Sequence, residues 1–125
     1  MELKQLIDKA ELIVKKEDKR ERKTIKIKRF ENLGIENPYV IIEKPTLTTI
    51  IASSERAGNN LYALSESMKY PDLSNKELQK AFKTNNKQAL LKKMFTEDEI
   101  DEINDVLISL ASKKTKIEIV DDIKN

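Results

Sequence analysis

The sequence contains no cysteine, no histidine and no tryptophan, and only two glycines and three prolines among its 125 residues. Without cysteine there is no disulfide, thiolate nucleophile, iron–sulfur cluster or cysteine-ligated zinc. Without histidine, the commonest general base and the commonest transition-metal ligand are both missing. Two glycines leave no glycine-rich phosphate loop and no nucleophile elbow. No apolar run approaches the ~18 residues of a membrane-spanning helix, and the N-terminus has no hydrophobic signal region, so an intracellular protein is expected. The sequence reads as a non-enzyme that needs no cofactor and no metal.

What is present is charge and periodicity. Apolar residues make up 38% and charged residues 37%, so the core must be narrow and the surface densely ionic. Basic and acidic residues nearly balance, at 24 against 22, which selects neither for nor against a polyanionic partner. The length suits a single domain over 1–125. Within it we expect an N-terminal helix and basic stretch (1–23), a β-hairpin (24–44), a helical part (46–112) and a C-terminal tail (113–125).

Leu3, Leu6, Ile7, Ala10, Ile13 and Val14 recur at spacings of three and four, the stripe of an amphipathic helix over 2–14. Ile25 and Ile27 alternate with Thr24, Lys26 and Lys28, the period of a half-buried strand. Asn32, Gly34, Asn37 and Pro38 mark a loop, and Tyr39-Val40-Ile41-Ile42 follows, stopped by Pro45. Residues 24–30 and 39–44 are therefore predicted to form an antiparallel pair. Such a pair is marginal alone, and the alternation of Ile117 and Ile119 offers a third strand.

The remainder reads as helices. Thr46 starts one that carries Leu47, Ile50 and Ile51 and ends at Gly58. Leu61, Leu64 and Met68 form a stripe that ends at Pro71. Ser74 with Glu77, and Thr96 with Glu99, have the spacing of capping boxes, flanked by the apolar pairs Leu73/Leu78 and Phe95/Ile100. Asn85 or Asn86 caps a helix between them that carries Ala89, Leu90 and Met94. The longest helix shows Ile100, Ile103, Val106, Leu107 and Leu110 on one face. The expected fold is mainly α with a small antiparallel β-hairpin (α+β): N-terminal helix, two-stranded hairpin, then a bundle of short helices ending in one longer capped helix.

Two charge clusters invite a functional reading. Glu97, Asp98, Glu99, Asp101, Glu102 and Asp105 lack the turn glycine and alternating ligands of a calcium loop, and they suit a solvated helix start instead. Residues 15–29 hold nine basic and three acidic residues. Lysine outweighs arginine, acids interrupt the run, and only Phe30 is near enough to stack on a base. A small nucleic-acid-binding regulator that uses this stretch is thus the alternative reading, alongside a helical adaptor protein.

The segment Leu90-Leu91-Lys92-Lys93-Met94-Phe95-Thr96-Glu97-Asp98-Glu99-Ile100, with Ile103, Leu107 and Leu110 beyond it, resembles the XkdN-like tail assembly chaperones of long-tailed phages and prophages. Glu77-Leu78-Gln79, Asp72-Leu73 after Pro71, and the strands around Ile25 to Phe30 and Tyr39 to Ile42 are similar to the same family. The likeness covers about residues 24–125. It implies a helper that binds the long, helical tape measure protein, keeps it soluble and assists assembly of tail tube protein around it. It also implies residence in the host bacterial cytoplasm and absence from the mature virion. No small-molecule substrate and no membrane partner are expected, a nucleic-acid partner is not favoured, and a homo-oligomer is left open. A chaperone for a helical client needs an accessible apolar stripe rimmed by charge. Leu90, Leu91, Met94, Phe95, Ile103, Leu107 and Leu110 offer one, although such stripes more often form a core; Leu91 and Met94 are the members expected to stay exposed.

Overall fold

The computed structural model describes residues 2–15, 20–54 and 60–112. In chain order the described elements are helices α1 (Leu3–Asp8) and α2 (Ala10–Val14), strand β1 (Arg22–Lys26), α3 (Lys28–Asn32), β2 (Tyr39–Glu43), α4 (Leu47–Ser54), α5 (Asn60–Ser67), β3 (Met68–Tyr70), α6 (Lys76–Ala81), α7 (Lys87–Met94) and α8 (Glu97–Ala111). The mainly helical α+β class is as the sequence predicts, and the sheet is larger by one strand. The proposed strand at 117–119 and the helix end at Gly58 lie outside the described residues.

The sheet is antiparallel in the order β1-β2-β3. Central β2 pairs Val40 with Ile25 and Ile42 with Lys23 across β1, and meets β3 at Tyr70 and Met68 with a register shift between Ile41 and Ile42. Val40 and Ile42 are fully buried, so one face of the sheet forms a wall of the core. The other wall is helical: Leu64 of α5, Leu90, Leu91 and Met94 of α7, and Ile103, Leu107 and Leu110 of α8. A single apolar cluster therefore joins sheet to helices.

The predicted strand 24–30 ends early. Ile27 donates its N–H to Pro38 O, while its own carbonyl accepts from Phe30 and Glu31, so the chain turns from ladder into α3 at that residue. Gly34 explains the other end of this helix. At φ +83° it occupies the left-handed position, with its N–H donating to Glu31 O and that of Ile35 to Phe30 O. This double closure is the Schellman pattern. Gly34 is thus a helix stop rather than a generic loop residue.

The third strand also revises an expected helix. The stripe Leu61, Leu64, Met68 is helical only to Ser67, and Met68 begins β3 with its side chain in the core. The N-terminal helix is likewise interrupted, at Lys9 between α1 and α2.

Caps set the helical starts. Thr96 and Glu99 form the expected capping box of α8, and Asn86 rather than Asn85 caps α7 by accepting from Ala89 N at 2.8 Å. Thr46 accepts from Thr49 N at the start of α4. At α6 the expectation fails by one residue. Asn75 is the cap, accepting from Leu78 N at 3.0 Å, while the Ser74 hydroxyl donates to Asp72 Oδ1 at 2.6 Å. The neighbouring carboxylate captures the hydroxyl that the box needed.

These caps separate experimentally. Asn75→Ala should cost about 1 kcal/mol and Ser74→Ala a few tenths, measured by urea unfolding. At the other end of α6, Lys83 takes the left-handed position at φ 57° and closes the same double pattern through Lys80 O and Gln79 O. Lys83→Gly should therefore stabilise by roughly 0.5 kcal/mol, because it relieves the Cβ strain.

Candidate docking surfaces

All seven residues proposed for partner binding lie in the core: Leu90, Leu91, Met94, Phe95, Ile103, Leu107 and Leu110. The expected exposure of Leu91 and Met94 is therefore corrected. Leu91 is 0% exposed and Met94 8%. Leu90 and Leu91 project about 100° apart on α7 and are both enclosed, so the short helix is covered over a wide arc. In this fold these side chains are structural.

Accessible apolar surface lies elsewhere. Along α1 and α2, Leu3, Leu6, Ile7, Ile13 and Val14 are between 40% and 74% exposed, and every described residue from 2 to 15 is exposed. With Ala10 they fall within about 120° of the helix surface at 3.6 residues per turn. Glu2 and Gln5 close a capping box at its start. Charged side chains line both edges of the stripe. A smaller exposed set, Leu47, Ile50 and Ile51, stands on α4.

Between α5, α7 and α8 a cleft of about 430 Å³ opens to solvent. Leu61, Leu64, Phe95 and Ile100 give it an apolar floor; Lys92 of α7 and Glu97 and Asp101 of α8 give it charged walls. Beside it, Arg29 locks α3 to the α7–α8 turn. Its guanidinium donates to Glu99 Oε1 at 2.9 Å and to Met94 O at 2.7 Å, and it lies 5.0 Å from the centre of the Phe30 ring. Phe30 in turn meets Phe95, with ring centroids 5.5 Å apart. The Arg29 hydrogen bond holds the Glu99 carboxyl below the ordinary carboxylate range, against the opposing effect of its partial burial.

The basic stretch is partly committed to the fold. Arg20 donates to Lys44 O and Pro45 O, Arg22 pairs with Glu43, Lys26 with Glu31, and Arg29 with Glu99. Four cations of 15–29 thereby bind the chain itself. The acidic cluster lies along the first turns of α8, with Glu99 the half-buried member. Among the described residues, no group of three or more acidic side chains is placed to hold a metal ion. No helix among them is long and apolar enough to cross a membrane.

The family model of the phage XkdN-like tail assembly chaperone proteins matches residues 3–124. The chain belongs to this family. No curated protein and no solved structure gives a significant match. As a tail assembly chaperone it has a helper's role in phage assembly rather than a catalytic one, and its partners are tail proteins. The match reaches back to residue 3, so the chaperone's exposed N-terminal stripe falls inside the family region, which the sequence likeness placed only from about residue 24.

Proposed function

We propose that this chaperone binds the tape measure protein in the host cytoplasm, as one domain, and holds it through the apolar face of α1 and α2 while tail tube subunits assemble. The observation that supports this reading is the stripe Leu3, Leu6, Ile7, Ile13 and Val14, exposed on a helical segment at the chain's N-terminal side. An isolated helix of fewer than ~12–15 residues is marginal in water, so α1 and α2 gain most of their order from a surface that covers the stripe. An amphipathic helix on a helical client does this through anchors three and four residues apart. Charged edges keep the unoccupied face soluble and let the client leave as the tube grows.

The direct test is co-purification with the co-expressed tape measure protein. Each buried aliphatic side chain contributes about 1.5–3 kcal/mol. Leu3→Ser and Ile7→Ser should therefore each weaken capture roughly tenfold or more, with circular dichroism and thermal unfolding of the rest unchanged. Undiminished capture by the double variant overturns the assignment to this face. The regulator alternative gains ground only if sequence-selective nucleic-acid binding persists at physiological salt.

A further inference from the structure

We propose that the outer edge of β1 receives an added antiparallel strand from another protein, an extended segment in which acidic and apolar residues alternate. The strand order β1-β2-β3 leaves β1 at one end of the sheet. Lys44 N donates to Glu21 O and Ile27 N to Pro38 O, so the odd-numbered residues of this strand turn their main-chain groups toward β2. Arg22, Thr24 and Lys26 therefore turn theirs outward, and no strand pairs with that side among the described residues. Their N–H and C=O groups are a template that an extended segment satisfies.

Charge and space select the occupant. From Arg22 to Phe30 the chain holds five basic residues and no acidic one. Val40 and Ile42 are buried opposite Ile25 and Lys23, so Arg22, Thr24 and Lys26 lie on the other, exposed face of the sheet. Arg22 and Lys26 already meet Glu43 and Glu31, yet their side chains remain 57% and 46% exposed, which leaves room for a second carboxylate at each. Acidic residues at alternate positions of the added strand meet them there. On the core side a groove of about 270 Å³ lies between Ile25 and Ile27 and the α8 residues Glu99, Glu102 and Ile103. It takes the apolar residues of the segment, and its two glutamates turn away a second acidic row.

The same residues turn away a second copy. Antiparallel pairing of two β1 strands about Thr24 sets Arg22 against Lys26 twice, and like charges directly opposite destabilise a sheet. Lysine guards edge strands in this way, and here the guard admits a strand of the opposite sign. Neither α1 nor α2 takes part, so this inference stands or falls independently of the function proposed above.

Fluorescence anisotropy of a fluorescein-labelled peptide of alternating glutamate and valine, titrated with the full chain, is the test. Saturable binding is expected, and a peptide of the same composition with its glutamates and valines in two blocks should bind roughly fivefold more weakly. Thr24→Pro removes an outward N–H and spares the ladder to β2, as proline on an edge strand does, and it should abolish binding. Lys26→Glu should weaken binding roughly fivefold by setting like charges together, whereas Lys76→Glu on α6 should leave it unchanged. Circular dichroism verifies that each variant folds. N-methylation of the peptide's glutamates, whose N–H groups face Arg22, Thr24 and Lys26 in the added strand, should also abolish binding, with the protein unaltered. Equal binding of the alternating and block peptides means bulk charge alone and overturns the proposal. Unchanged affinity for a folded Thr24→Pro or for the N-methylated peptide overturns it too, and so does failure of every peptide to bind, which means an edge that is only guarded. A single-stranded oligonucleotide that displaces the peptide at physiological salt assigns the strand to nucleic acid instead. The chain has no cysteine, so rapid disulfide closure within one Thr24→Cys/Ile119→Cys chain assigns the edge to the protein's own residues and overturns the proposal as well.

Discussion

Leu91→Ala should lower the unfolding free energy by about 3 kcal/mol, and Leu91→Ser should leave little folded protein at room temperature. Leu91 is wholly enclosed, as are Leu90 and Ile103, and removal of its branch leaves a void that the surrounding core closes only partly. Proteins of this size are commonly stable by about 5–15 kcal/mol, so the loss is a large share of the total. The midpoint of thermal unfolding should fall by roughly 10 °C. Leu3→Ala provides the contrast. Its side chain is 73% exposed, and its truncation should change stability by less than about 0.5 kcal/mol. A small effect at Leu91 and a large one at Leu3 would reverse the division between core and docking face drawn above.

That division was not legible in the sequence, although the stripes were. Periodicity gives the apolar face of every helix, and it reads the same whether another element covers the face or not. Leu3, Leu6, Ile7 and Leu90, Leu91, Met94 look alike on paper. Coverage depends on topology: α7 packs on α5, which itself meets α8 and the sheet, whereas α1 and α2 precede the sheet and stand beside solvent. The cleft escaped notice for the same reason, since Leu61, Lys92 and Asp101 belong to three different helices.

Local chemistry was far more readable. Thr96 and Asn86 cap the helices that their spacing announces, because a cap is decided by a hydroxyl or amide and an amide three residues on. Failures came where two local signals compete. Ser74 and Asn75 are adjacent cap formers, and Asp72 decides between them by taking the serine hydroxyl. Ile25 and Ile27 alternate as a strand should, yet Gly34 closes a helix over Lys28–Asn32 and ends the ladder sooner. β3 has three residues, too few for any period to emerge, and its partner strand supplies the reason for its existence.

The charged joint between Arg29 and Glu99 should show itself as acid sensitivity. Glu99 caps α8 by accepting from Thr96 N at 2.9 Å and receives the Arg29 guanidinium, so its carboxylate is favoured in the folded state. A carboxyl whose folded pKa is depressed adds stability that is fully present above its unfolded value, about 4.3 for glutamate, and fades as pH falls through the folded value. Asp72, held low by the Ser74 hydroxyl and N–H, acts in the same direction. The chain should therefore lose stability below about pH 4. Arg29 is shifted upward by the same hydrogen bond, and its contribution is lost only at pH far above neutrality. At pH 7, Arg29→Ala should cost about 1–2 kcal/mol, toward the low side of charged hydrogen bonds because the guanidinium side chain is 43% exposed. Arg29→Lys should recover part of that loss, since it restores charge without the planar fork that reaches both Glu99 and Met94 O. Glu99→Gln keeps an oxygen for Thr96 N and removes the titrating group. Urea unfolding at pH 7 and pH 3 then decides: the Glu99→Gln protein should lose less stability between the two than the wild type, and an equal loss means that the acid response belongs to other carboxylates.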